Sequence, residues 1–112
     1  MVENKAVIGK KVIQKEITSF YNLIKDAYPV KKMILYGSYA KGIATKDSDI
    51  DVGVIIDLPD GVNKVEITAN LFHIARKIDS HIEPLCILWS EYKNFERGSI
   101  LSEIVKTGIE VV

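Results

Sequence analysis

Two short features that could carry chemistry lie close together in the segment "YGSYAKGIATKDSDIDVGVII". Gly37 and Ser38 follow an apolar run, and ten residues separate Ser38 from Asp49. Asp49 and Asp51 lie two positions apart within a second apolar run. Because residues two apart on a strand point to the same face, both carboxylates are expected to converge in front of one sheet. Aspartate is disfavoured in strands, so a pair at this spacing favours a site over an ordinary solvated face.

The chemistry that these residues suggest is the binding of a divalent cation together with a phosphate. Two neighbouring carboxylates repel each other, and each is partly protonated unless a cation offsets their charge. A Gly-Ser turn after a strand presents backbone N–H groups and a hydroxyl, which suits a phosphate. Oxygen ligands beside such a turn indicate Mg²⁺, and the sequence has no His/Cys cluster that would indicate zinc.

Three further residues near the turn have a functional and a structural interpretation. Lys41 and Lys46 add positive charge, although lysines in loops are commonly just solvated. Ser48 precedes the aspartates and could assist a phosphate, but a hydroxyl that stabilises the local turn explains it equally well.

The pattern around these residues predicts helices alternating with three or four strands, and hence an α/β or α+β two-layer domain. In chain order, it predicts a helix from Ile8 to Ala27, a strand over "KKMILYG", a helical turn over "SYAKG", a strand over "SDIDVGVII", a helix from Asn63 to Lys77 capped by Asn63, a strand over "HIEPLCILW", a short helix capped by Ser90, a helix from Gly98 to Lys106 and a terminal strand or tail "IEVV". Pro84 within the third strand indicates an edge position or an irregularity, because proline cannot donate to a sheet ladder. Cys86 and Trp89 are expected to be core or partner-facing residues and not reactive ones.

Composition narrows the class of protein. The 112 residues fit one domain, here taken as residues 1–112, and Lys plus Arg equals Asp plus Glu at 15 each. The zero net charge gives no global attraction to nucleic acid or to a membrane, so no direct nucleic-acid binding is expected. A single cysteine excludes an internal disulfide, and no stretch reaches the ~20 apolar residues of a membrane span. A cytoplasmic protein is therefore expected.

"GS", ten residues and "DID" resemble the hallmark of the polymerase-β-like nucleotidyltransferase superfamily. The run "GSYAKGIATKDSDIDVGVII" is similar to its minimal nucleotidyltransferases, and the ending "ILSEIVKTGIEVV" extends the resemblance over nearly the whole chain. The resemblance implies a single two-layer domain with a small mixed β-sheet and helices packed on one face. It also implies that Gly37 and Ser38, with Lys41 and Ser48, bind the phosphates of a nucleoside triphosphate.

Members of this superfamily use a third carboxylate from a later strand. Glu83 in "HIEPLCI" is the candidate, and Asp79, at the end of the preceding helix, is the alternative. Glutamate departs here from the commoner aspartate. The resemblance implies that Asp49, Asp51 and Glu83 bind two Mg²⁺ ions and that Glu83 serves as the base. His81 begins the same strand, but the sequence assigns it no role.

The activity implied is transfer of a nucleoside monophosphate, AMP from ATP, to a hydroxyl. The chain leaves no room for the acceptor-gripping domain of larger relatives, so the acceptor site is expected from another chain. Minimal nucleotidyltransferases pair with a helical protein of the HEPN type and act as the antitoxin that modifies a tyrosine of this toxin; a homodimer is also compatible. The alternatives are a non-catalytic nucleotide-binding subunit that masks a partner, and an enzyme that modifies a small molecule such as an antibiotic.

Overall fold

The strands form a mixed sheet in the computed structural model, which describes the backbone of residues 2–45 and 47–112 and the side chains from residue 11 onward within those ranges. The strands are β1 (Val30–Tyr36), β2 (Ile50–Ile56), β3 (Ile82–Leu88) and β4 (Ile109–Glu110), in the spatial order β3-β2-β1-β4. β1 runs antiparallel to β2 and β4, whereas β2 and β3 are parallel. β3 is therefore an edge strand, which confirms the expectation drawn from Pro84.

Five helices accompany the strands in the described part of the chain. They are α1 (Val2–Ile24), α2 (Ser38–Lys41), α3 (Lys64–Ala75), α4 (Trp89–Lys93) and α5 (Ile100–Thr107). α1 is longer than predicted at its start and ends at Ile24, before the Tyr28-Pro29 pair that disfavours helix. None of the described helices combines the length and the apolar character that crossing a bilayer would require.

The main core lies between the sheet and the pair α1 and α3. Alternate residues of β2 point into it, including Val52 and Val54, and both are fully buried. Ile17 and Phe20 of α1 and Leu71 of α3 pack against them with no exposed surface. Burial of a large apolar side chain contributes about 1.5–3 kcal/mol, so this layer holds the strands that carry the candidate site.

A second, smaller core covers part of the opposite face. Ile34, Ile55 and Ile87 lie on that face and pack with Ile104 of α5. The mixed α/β fold is thus as predicted, but the expectation of helices on one face describes only α1 and α3. α5 packs on the other face because β1, β2 and β3 carry apolar residues there as well.

Side-chain hydrogen bonds set three helix starts. Asn63 Oδ1 accepts from the Glu66 N–H at 3.1 Å, which confirms the predicted cap. Ser90 lies inside α4 and its hydroxyl donates to Asp60 at 2.7 Å, so the prediction that Ser90 caps this helix is wrong. The Glu91 carboxylate accepts the Leu88 N–H at the start of α4 instead. Ser99 caps α5 by accepting the Ser102 N–H at 3.0 Å.

Candidate active site

Strand pairing brings two of the candidate carboxylates side by side. Asp51 on β2 is in register with Glu83 on β3 and, on its other side, with Tyr36 on β1. Neighbouring strands lie about 4.8 Å apart and residues in register share a face, so these three side chains form one row across the sheet. Asp49 comes one residue before β2 and two before Asp51, so it lies beside this row, along the strand direction from Asp51.

The carboxylates are close enough to perturb one another. A hydrogen bond to Asp49, followed by burial and by the charges of Asp49 and Asp51, raises the pKa of Glu83 to about 7. Burial, followed by the charge of Asp49, raises the pKa of Asp51. Because two ionised carboxylates cannot hydrogen-bond to each other, the contact between Asp49 and Glu83 needs a shared proton or a bridging cation.

The Gly-Ser turn lies directly against this row. Gly37 has φ +74°, which an L side chain rarely adopts, and a Cβ built there would overlap Asp51 Oδ2. Ser38 follows as the first residue of α2 and is half-buried; its hydroxyl has no hydrogen-bond partner among the described residues. The first N–H groups of a helix also lack intrahelical partners. A hydroxyl and unpaired backbone donors therefore stand next to the carboxylates.

The other predicted nucleotide-binding residues have no described contact with the three carboxylates. Lys41, the last residue of α2, is exposed and makes no ion pair with a described residue. The Ser48 hydroxyl accepts the Thr45 N–H at 2.9 Å, as expected of a turn-stabilising serine. No described contact joins Lys41 or Ser48 to the carboxylates. Lys46 lies outside the described residues.

Asp79, the alternative third carboxylate, is engaged elsewhere. Its Oδ1 accepts the backbone N–H of His81 at 2.8 Å and lies 2.9 Å from Nδ1 of the His81 ring. It also contacts the carboxyl group of Glu16 on α1. The register with Asp51 therefore favours Glu83 over Asp79 as the third member of the site.

Sequence reasoning missed Tyr36 and Glu16. The charges of Asp51 and Glu83 contribute, after burial, to a raised pKa of the Tyr36 phenol, which places Tyr36 beside both carboxylates. In the sequence, Tyr36 could have been found from its position directly before Gly37, at the end of a predicted strand. Glu16 could have been found as an acidic residue on the apolar stripe of α1.

The donor set fits a hard cation, although the ligands are not already arranged around one. Asp49, Asp51 and Glu83 offer only carboxylate oxygens, which Mg²⁺ prefers. Among the described residues no three His, Cys, Asp or Glu side chains form a ready-made metal-binding group. A cation bound here would therefore replace the proton that the close Asp49–Glu83 contact requires in its absence.

Known proteins resemble the chain in sequence. A family model described as a nucleotidyltransferase domain matches residues 17–111. A protein of Methanocaldococcus jannaschii named "Putative protein adenylyltransferase MJ0604" is 45% identical over 47 residues, which cover 40% of this chain and 47% of that protein. Another from the same organism, "Putative protein adenylyltransferase MJ0141", is 29% identical over 102 residues, covering 90% of this chain and 93% of that protein. The first alignment thus spans about half of its relative's length.

Two solved structures share the fold. A crystal structure of "a putative nucleotidyltransferase from Sulfolobus solfataricus" superposes with a TM-score of 0.69 at 15% identity, covering 95% of this chain and 85% of that chain. A chain from a crystal structure described as "the toxin-antitoxin with AMP-PNP" superposes with a TM-score of 0.55 at 22% identity, covering 88% of this chain and 72% of that chain. At these identities the likeness concerns the fold alone.

Proposed function

The chain belongs to the nucleotidyltransferase domain family, and from this premise we propose that it is a Mg²⁺-dependent enzyme that transfers AMP from ATP to a hydroxyl group. The observation that carries the proposal is the register of Asp51 with Glu83, next to Asp49 and with the Gly37 turn against Asp51. These contacts bring the three carboxylates and the Gly-Ser turn together, which supports a cation site beside a phosphate site.

Each residue has a distinct role in the proposed reaction. Asp49, Asp51 and Glu83 would hold Mg²⁺, which would supply positive charge that neutralises the phosphates and lowers the pKa of the acceptor hydroxyl. The Ser38 hydroxyl and the backbone N–H groups that follow it donate to the phosphates.

The chain's own contribution to the chemical step is positioning and proton transfer. The acceptor oxygen forms a bond to the α-phosphorus, the bond from that phosphorus to the bridging oxygen breaks, and pyrophosphate leaves with those electrons. Glu83 receives the proton of the acceptor hydroxyl. Little covalent work falls to the protein in such a transfer, so the placement of the three carboxylates dominates the rate.

We further propose that the acceptor is a side-chain hydroxyl of a HEPN-type helical partner and that the reaction takes place in the cytoplasm, where ATP is abundant. The relatives named as protein adenylyltransferases and the fold-level likeness to a toxin–antitoxin chain crystallised with AMP-PNP support an acceptor on a protein.

Transfer of label tests the proposal. The protein is incubated with ATP labelled on the α-phosphate, with Mg²⁺ and with the product of the neighbouring gene, and a variant carrying Asp49→Ala and Asp51→Ala is run in parallel. Label that reaches the partner with the wild type alone is the expected result. A tight complex without label would contradict the proposed transfer and support a partner-masking subunit. In a parallel incubation with an aminoglycoside in place of the partner, label on the aminoglycoside would indicate a small-molecule acceptor.

A further inference from the structure

A second polar cluster lies beside the row of carboxylates. It consists of Glu16 on α1, Asp79 in the turn after α3, and His81 immediately before β3. Asp79 Oδ1 accepts the His81 N–H at 2.8 Å and contacts ring Nδ1 at 2.9 Å. Two hydrogen bonds to a single carboxylate oxygen fix both the backbone and the ring of His81.

Glu16 supplies the other end of this cluster. Its Oε2 is buried, and no nitrogen or hydroxyl among the described residues donates to it. Its polar neighbour is the Asp79 carboxyl group, so the two groups form a hydrogen bond only if they share a proton. Burial, followed by the hydrogen bond and the charge of Asp79, accordingly raises the pKa of Glu16 to about 7.

Asp79 is the charged partner of this pair. Burial would raise the pKa of Asp79, but hydrogen bonds from Glu16 and from the backbone and ring of His81 lower it. The groups that face Glu16 are Asp79, His81 and, from α2, Tyr39. A protonated Glu16 therefore donates to an ionised Asp79, which accepts from His81.

The cluster is continuous with the candidate site. The Ile50 N–H donates to the His81 carbonyl at 2.8 Å, which anchors the turn beside the start of β2, next to Asp49. Glu83 lies two residues after His81 on β3. A shift of the turn at residues 79–81 would therefore move Glu83 relative to the aspartates.

We propose that Glu16 and Asp79 are positioning residues, which hold the His81 turn through a shared proton and thereby set Glu83 beside Asp49. The catalytic part of this inference rests on the proposed function, whereas the shared proton does not. A purely structural tie between α1 and the turn would change stability without changing the rate per folded molecule.

Three variants of the full chain separate these possibilities. Glu16→Gln is isosteric and donates permanently through its amide, Glu16→Ala removes the donor, and Gln14→Ala changes an exposed residue of the same helix as a control. At pH 6 we expect Glu16→Gln and Gln14→Ala to keep kcat within about twofold of the wild type. For Glu16→Ala we expect kcat to fall about tenfold or more with little change in KM for ATP, as is usual for groups that orient metal ligands.

The pH profile isolates the shared proton. As the pH rises above about 7, Glu16 ionises in the wild type, whereas the amide introduced by Glu16→Gln cannot ionise. The rate of Glu16→Gln divided by that of the wild type should therefore rise, and dividing the two rates removes the titration of groups that do not interact with Glu16. A flat ratio, equal defects in Glu16→Gln and Glu16→Ala, or wild-type kcat in Glu16→Ala would overturn the proposal.

One measurement needs no activity and so separates this inference from the proposed function. In protein labelled with ¹³C at the glutamate carboxyl groups, the Glu16 signal is identified by its loss in Glu16→Gln. We expect it to titrate near pH 7 and to shift to lower pH in Asp79→Ala. A midpoint at the ordinary 4.5 would refute the shared proton even if transfer is observed, and a midpoint near 7 in a protein without transfer would leave the proton in place while rejecting its catalytic role.

Discussion

Gly37 determines how closely the chain can approach the Asp51 carboxylate. Its positive φ and the lack of room for a Cβ are separate constraints, since one concerns the backbone and the other the neighbouring side chain. Gly42 shares the first constraint, with φ +75°, but a Cβ there would meet nothing within 4 Å. The two glycines therefore form a natural pair for mutation.

We predict that Gly37→Ala lowers nucleotidyl transfer by about 100-fold, because it displaces Asp51, and a displacement of about 1 Å can cost that much. Gly42→Ala should retain transfer within a few-fold and lose about 1–2 kcal/mol of stability, because Gly42 is left-handed, with φ 75° and ψ 18°. Gly37→Ala should lose about 1–3 kcal/mol from its backbone, because φ 74° with ψ -150° is a conformation nearly confined to glycine. Urea denaturation and the transfer assay measure the two effects. Equal losses of transfer in the two variants would show that backbone strain, and not the Asp51 contact, is responsible.

Glu83 is predicted to affect the rate more than binding. Glu83→Gln keeps the size of the side chain but removes the proton acceptor, so we expect kcat to fall about 100-fold or more. The affinity for Mg²⁺–ATP should change less, because Asp49 and Asp51 remain. Glu66→Gln on the exposed surface of α3 is the control. A loss of affinity with kcat unchanged would assign Glu83 to binding alone.

At the scale of elements, β3 is an edge strand whose outward donors are already occupied. The Cys86 N–H donates to Thr68 Oγ1 at 3.2 Å, and the Leu88 N–H donates to Glu91 Oε1 at 2.9 Å. Pro84, which precedes both residues on β3, has no N–H. A strand with so few free donors resists pairing with another chain, which protects the edge from aggregation.

Thr68→Val tests how much the hydrogen bond from the Cys86 N–H to Thr68 contributes to stability. Valine has nearly the shape of threonine but leaves the Cys86 N–H without its partner, so we expect a loss of about 1–2 kcal/mol in the free energy of unfolding. Thr18→Val on α1 is the control, since that exposed hydroxyl only donates back to the Gln14 carbonyl and its loss should cost a few tenths. Urea unfolding compares the two, and similar small costs would contradict the role of Thr68.

Much of the element scale could be predicted from local patterns. The alternation along β2, the edge position of Pro84 and the cap at Asn63 each depend on near neighbours in the sequence. The position of α5 and the role of Ser90 do not. Ser90 donates to Asp60, thirty positions earlier, and such a long-range partner leaves no periodic signal.

The same distinction holds for the site. Asp49 lies one residue before β2 and Asp51 on it, so the expectation that both carboxylates share a face could be drawn from their spacing. The contact of Gly37 with Asp51 and that of Glu16 with Asp79 each join separate elements. Such contacts depend on the order and crossing of those elements in the folded chain, which one sequence does not encode in any local pattern.

At the scale of the whole molecule, several titratable groups make the folded state less stable as the pH rises. Folding raises the pKa of four groups. Burial is the main cause for Glu16 and Asp51, a hydrogen bond to Asp49 for Glu83, and a hydrogen bond to Asp79 for His81. Each of these groups binds its proton more tightly in the folded chain. Their stabilising contribution is complete below their ordinary pKa values and is lost as the pH rises through the folded values.

We therefore predict that the thermal unfolding midpoint of the metal-free protein is highest at mildly acidic pH and falls between about pH 5 and pH 8. Asp79, whose pKa is lowered, sets the opposite trend at strongly acidic pH. Combining Glu16→Gln with Glu83→Gln should flatten the decline above pH 6. A midpoint that rises steadily to pH 8 in the wild type would show that these carboxyl groups do not share protons.

Calorimetric titration of Mg²⁺–ATP tests most directly whether the acidic row on β2 and β3 is a cation site. Asp51→Asn removes one charge from the row, and Asp57→Asn removes one just past the far end of β2, where Asp57 faces Lys31 at 3.9 Å. We expect wild type and Asp57→Asn to bind Mg²⁺–ATP alike, and Asp51→Asn to lose binding. Equal binding by Asp51→Asn, or no uptake by the wild type, would contradict the account.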